Sequence, residues 1–153
     1  MGVLTDDMKR VVEEQQLGFV ATVSSDGTPN LSPKGTTAVW DDDHLVFADI
    51  CSPDTIANLR ANPAVEINVV DPLVRKGYRF RGTARVIGEG PDYEAGLEFY
   101  RRRGSATTKR HIVLVKVERA AELISPAYDS GQREAAVIAK WRTYWEALWD
   151  RRV

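Results

Sequence analysis

The sequence predicts a mainly β protein of the α+β class, an antiparallel barrel with peripheral helices in one domain over residues 1–153. Three observations carry that reading. Short apolar runs alternate with period two, turn-forming residues separate them, and the few helical patterns lie at the ends and between groups of strands. A chain of 153 residues, 43% hydrophobic and 28% charged, is ordinary for one domain with a real core.

Thr5 reads as an N-cap with Asp6 and Asp7 in the first turn, and Met8, Val11, Val12 and Gln15 at helical spacing predict a helix over residues 5–16. Residues 17–24 then alternate, with Leu17, Phe19, Ala21 and Val23 on one side, and Asp26 with Gly27 supplies a hairpin turn. The next strand is expected over residues 30–40. Asp41, Asp42 and Asp43 form a turn before the apolar run 45–50, which reads as a buried strand.

Ser52 and Pro53 predict a helix start, since Ser accepts from the free N–H groups of a first turn and Pro is tolerated at its first position. Ile56, Leu59 and Arg60 continue that helix until Asn62 and Pro63 end it. Strands follow at 65–70 and 78–87, the second with Tyr78, Phe80, Gly82, Ala84 and Val86 on one face and Arg79, Arg81, Thr83, Arg85 and Ile87 on the other. A helix carrying Tyr93, Leu97 and Tyr100 runs to Gly104, and a long strand begins at His111 and extends toward Ile124. The last element is a helix at about 133–150, with Val137, Ile138, Trp141, Tyr144, Trp145, Leu148 and Trp149 as a broad apolar stripe.

Composition excludes several classes of function. With 21 basic and 22 acidic residues the net charge is -1, so no nucleic-acid partner is expected. The run Arg101, Arg102, Arg103 with Lys109 and Arg110 reads as a solvated helix end and loop, a phosphate contact being the alternative. Cys51 is the only cysteine, which rules out an intrachain disulfide and makes a cytoplasmic location the expectation. No apolar run approaches the roughly 18 to 20 residues of a membrane span, so no membrane partner is expected either. Neither His44 nor His111 stands in a metal-ligand or triad spacing, and both are assigned structural or surface roles; no metal site is expected. No Gly-rich dinucleotide or P-loop fingerprint occurs.

Two segments concentrate the remaining chemistry: residues 30–37, with Ser32, Pro33, Lys34 and Gly35, and residues 52–63, with Ser52, Thr55 and Asn58. A helix N-terminus favours an anion, and two hydroxyls add donors to it. Lys34 adds one ammonium to the hydroxyls and backbone N–H groups that these segments could present to a phosphorylated cofactor. The plainer readings are an ordinary capped helix and a solvated strand lysine.

Together, residues 17–34, 45–49, 55–63 and 78–84 resemble, in order, the flavin-binding split barrel of the pyridoxamine 5'-phosphate oxidase-like superfamily, and the resemblance covers roughly residues 5–124. It implies a homodimer of six-stranded split barrels with FMN in clefts at the subunit interface. By position, Ser32, Pro33, Lys34 and Gly35 would border the isoalloxazine, and Ser52, Thr55, Asn58 and Leu59 would lie near the ribityl phosphate, with Arg79 on a neighbouring strand. Where many relatives carry Lys or Arg just before the position of Thr55, this chain has Asp54, whose carboxylate competes with a phosphate for the same helix dipole. F420, a deazaflavin, is the alternative cofactor.

The function this implies is an FMN-dependent oxidoreductase moving hydride or electrons through flavin N5 to or from a small organic substrate. The alternatives are a non-catalytic flavin-binding or electron-carrier protein and an F420-dependent reductase. A true pyridoxamine 5'-phosphate oxidase is not expected, because the C-terminus is a Trp-rich helix instead of that activity's basic ending. No side chain is assigned a catalytic role. Trp141, Trp145 and Trp149, spaced by four, are expected in core or dimer packing, the alternative being that one of them, or Tyr128, covers a partner's flavin.

Overall fold

The computed structural model describes residues 2–153. Its centre is one sheet of seven strands, ordered β2-β1-β5-β6-β7-β4-β3 with every neighbouring pair antiparallel. The strands are β1 Gly18–Val23, β2 Pro29–Lys34, β3 Ala38–Val39, β4 His44–Asp49, β5 Ala64–Asp71, β6 Lys76–Ile87 and β7 His111–Ile124. Four helices flank it: α1 Asp6–Gln15, α2 Pro53–Ala61, α3 Pro91–Arg102 and α4 Glu134–Asp150.

Strands β2 and β3 lie at opposite edges of the sheet, yet only residues 35–37 separate them in the chain. That link reaches at most about 14 Å. The sheet therefore curls until its edges approach, which makes a barrel split along one seam. The expected single strand over residues 30–40 is corrected to two, and the strand count to seven instead of six. The break has a local cause: the Thr37 N–H and hydroxyl both donate to the Lys34 carbonyl, at 3.2 and 2.8 Å, and turn the chain. Tyr100 fixes the turn from outside by donating to the Thr36 carbonyl at 2.7 Å, and the Ala48 N–H donates to the Thr36 hydroxyl at 2.9 Å. On the short edge strand, the Val39 N–H donates to the Glu13 carboxylate at 2.8 Å.

Val20, Leu45, Phe47, Ile67, Phe80, Val113, Val115 and Val117 fill the interior, with Val11 and Val12 of α1 and Ile56 and Leu59 of α2 packed against them. Val46 and Ala48, on the other face of β4, pack with Ile112 and with Tyr100 of α3. Burial on both faces explains why this strand reads as an unbroken apolar run. In β1 the alternation has the opposite outcome: Gly18, Val20 and Thr22 are buried, whereas Leu17, Phe19 and Val23 are exposed, beside a 65% exposed Leu31 on β2.

Thr5 caps α1 by accepting from the Met8 N–H. The Tyr78 hydroxyl donates to Asp7, tying α1 to β6, and that bond pushes the phenol up to about 12. Arg101 and Arg102 share Glu98, while Arg103 reaches Glu13, so that part of the basic run is a solvated and paired helix end. Lys109 departs from the expected solvated loop: it is buried, and its ammonium donates to the Ser105 hydroxyl at 2.9 Å and to the Thr107 carbonyl at 2.7 Å. Helix α4 is pinned at its start by a Lys76–Glu134 ion pair, by the buried Val137 and by Arg75 stacked 3.4 Å from the Trp141 ring. Beyond that point Tyr144, Trp145 and Trp149 remain exposed.

The seam is sterically tight at Gly18, where a Cβ would stand 2.5 Å from the Thr37 hydroxyl oxygen. Gly18→Ala is expected to cost about 1 to 3 kcal/mol of unfolding free energy, because the hydroxyl it would displace is held by the Lys34 carbonyl. Urea denaturation with an unchanged midpoint would show that the turn yields without cost.

Candidate functional site

Lys34 ends β2 on the same side of the strand as Ser32, and despite its charge it is 5% exposed. Its ammonium donates to the Ser32 hydroxyl at 2.8 Å and to the Ser52 hydroxyl at 2.5 Å. An ammonium carries three N–H donors, and the third has no protein acceptor among the described residues. Burial pushes Lys34 below the ordinary lysine range, against the opposing pull of the Asp49 carboxylate. The two segments singled out in the sequence thus meet at one buried cation.

That meeting corrects one expectation. Ser52 directly precedes α2, but its side chain makes no cap bond. Its hydroxyl is engaged by Lys34, and its own N–H donates to Asp49 Oδ1 at 2.7 Å. Pro53 occupies the first helical position as expected, so the N–H groups of Asp54 and Thr55 open the helix without a side-chain cap. Such a start attracts an anion.

The other candidates separate into groups. Thr55 is buried in the first turn of α2. Asn58 donates to the Thr22 and Ser24 hydroxyls at 3.0 and 3.5 Å and fastens α2 to β1 and its turn. Leu59 belongs to the core. Gly35 sits exposed in the seam turn. Pro33 and Arg79 are on the opposite face of the sheet from Ser32 and Lys34, in a row that runs Pro33, Phe19, Asn68, Arg79 across four strands. There Arg79 pairs with Glu66 at 3.0 Å, and the buried Asn68 Oδ1 has no partner.

Two residues near the buried cation were not among the sequence candidates. Asp49 is 3% exposed and His111 stands directly opposite it in the β4–β7 register, with Nδ1 2.7 Å from Asp49 Oδ2. Arg60, in the last turn of α2, reaches His111 Nε2 at 3.1 Å. The available signal was a carboxylate closing the apolar run 45–49. Nothing in the spacing of residues 49 and 111 announces their pairing.

A cavity of about 380 Å³ lies elsewhere, between α1, the β5–β6 hairpin and the start of α4. Its charged lining is mostly self-paired, Asp7 with Arg10 and Lys76 with Glu134, and for that reason it offers less than the buried cation. Among the described residues no group of three or more His, Cys, Asp or Glu side chains is placed to hold a metal ion. No helix among them is long and apolar enough to cross a membrane.

A family model described as pyridoxamine 5'-phosphate oxidase matches residues 4–124. The chain belongs to that family. A solved structure of HupZ from Group A Streptococcus is 34% identical, with a TM-score of 0.72 over 80% of this chain and 95% of that one. An F420 reductase (24% identical, TM-score 0.60, 77% and 98% covered) and an FMN-binding protein from Syntrophomonas wolfei subsp. wolfei (15% identical, TM-score 0.63, 75% and 82% covered) share its fold. The split barrel of the pyridoxamine 5'-phosphate oxidase family is therefore the architecture of this protein, and α4 lies beyond the residues that the family model matches.

Because the folded state holds the Lys34 proton less tightly than the unfolded chain, this residue makes stability rise with pH from its lowered value up to the ordinary 10.5. Lys34→Met is expected to lose that contribution and, at pH 7, to be as stable as the parent or up to about 1 kcal/mol more stable. Denaturation of both proteins across alkaline pH would check it, and parallel curves would contradict the placement of Lys34.

Proposed function

We propose that this family member binds a phosphorylated flavin, FMN foremost and F420 as the alternative, and works as an oxidoreductase on a small organic substrate. The observation that carries the reading is the buried Lys34 ammonium, with one N–H unspent, beside a helix start that no side chain caps. A buried cation is costly unless something anionic compensates it. Solved structures of the same fold described as an FMN-binding protein and an F420 reductase support the choice of ligand.

In this reading Lys34, Ser32, Ser52 and the first-turn N–H groups of α2, with Thr55, hold the phosphate, and Gly35 lets the backbone approach the ligand. Asn58 and Leu59 keep α2 in place from behind. Asp54 is exposed, so its carboxylate is screened by water and weakens the anion site less than the buried lysine strengthens it. A bound flavin supplies hydride or electron transfer at N5. The protein's part is to orient it, to exclude water on one side and to set the local charge.

The outward apolar group of Leu17, Phe19, Val23 and Leu31 fits a homodimer interface, with Pro33 and Arg79 on the same outer side of the sheet. The electron-carrier alternative would use the same site without turnover.

Purified protein titrated separately with FMN and F420, followed by flavin fluorescence and visible absorption, tests the cofactor. Binding of at least one is expected, and Lys34→Ala or Thr55→Ala should weaken it about tenfold or more, the loss of roughly one charge-assisted hydrogen bond. A parent protein with no affinity for either would overturn the reading. Sedimentation velocity is expected to show a dimer, converted to monomer by Leu31→Asp; a monomeric parent would overturn the homodimer.

A further inference from the structure

The groups behind Lys34 form a continuous chain of hydrogen bonds. Asp49 Oδ1 accepts the Ser52 N–H at 2.7 Å, and Asp49 Oδ2 lies 2.7 Å from His111 Nδ1. His111 Nε2 in turn lies 3.1 Å from an Arg60 guanidinium nitrogen. A guanidinium has only donors, so Nε2 must be the acceptor there. The ring hydrogen is then on Nδ1 and is donated to Asp49. His111 is thereby a neutral imidazole in one tautomer, with a cation on one side and a carboxylate on the other.

The arrangement settles a charge problem. Asp49 is buried and acts on Lys34 through space. If these two were the only charges, the carboxylate would neutralise the ammonium and leave little field for an anion. Arg60, linked through the imidazole, gives the carboxylate a second cation. The group Lys34, Asp49 and Arg60 then carries one net positive charge, and Lys34 keeps one N–H unspent for a ligand. The same bridge also ties both ends of α2 together, because Ser52 precedes the helix and Arg60 lies in its last turn.

We propose that His111 is a positioning residue for the anion site: by joining Arg60 to Asp49 it holds the Ser52 backbone in place and keeps Lys34 available to a phosphate. This rests on the flavin reading given above. It adds a residue that touches neither Lys34 nor the helix start, and it assigns a purpose to a histidine and an arginine on separate elements.

The probes are FMN and riboflavin, which differ only in the phosphate, titrated against the parent and against His111→Leu, His111→Gln and Arg60→Met. His111→Leu and Arg60→Met are expected to weaken FMN about tenfold while riboflavin affinity stays within twofold. His111→Gln, whose amide offers an N–H to Asp49 and a carbonyl oxygen to Arg60, should recover FMN binding to within threefold of the parent. Long-range 1H–15N NMR spectra of the parent should show His111 as the neutral Nδ1–H tautomer. A ring protonated on Nε2 would overturn the bridge without reference to any ligand. Equal losses of FMN and riboflavin in His111→Leu would reduce the residue to a structural staple, and FMN binding equal to the parent would overturn the inference alone. A parent that binds no FMN would instead bring down the flavin reading, and this role with it.

Discussion

Residues 35–37 hold the two edges of the sheet together, and most other features of the molecule depend on that short link. Because β2 and β3 are the outermost strands, joining them by so few residues obliges the whole sheet to curl. The turn is fixed from three directions, by Thr37 on the Lys34 carbonyl, by Tyr100 from α3 and by Ala48 from β4. Lys34 is the last residue before the turn. Its backbone carbonyl anchors the seam while its side chain meets Ser52, so closing the barrel and building the cation site are one event.

Much of the architecture was legible in the sequence because it depends on near neighbours. The Thr5 cap, the hairpin at Asp26 and Gly27, Pro53 at the start of α2 and the long strand from His111 all follow from local chemistry, and each element stands within a residue or two of its expected place. The break near Gly35 was not legible, since the residues on either side both favour extended backbone and the turn is imposed by partners from α3 and β4. Alternation in β1 gives two sides but does not say which is inward. Helix α1 and the interior strands claim the side with Val20, and the aromatic side is left outside.

The same distinction governs the site. Ser52 was recognisable as a residue before a helix, but its hydroxyl goes to a lysine 18 positions away, which no local pattern encodes. His111 and Asp49 are joined only by strand register. Asp54 is exposed in the first turn of α2, whereas Lys34 at the end of β2 is buried, a difference of setting that position in the sequence does not encode.

The Asp49–His111 pair spans 62 residues of chain. During synthesis from the N-terminus, β1, β2, β4 and α2 are all complete before residue 111 exists, so at that stage Asp49 has no bridge to Arg60. Contacts this distant close late in folding, after the entropy of a long loop has been overcome. The nascent chain therefore carries Lys34 and Asp49 as charges that cancel, and the strand that brings the second cation to the carboxylate is the last one added to the sheet.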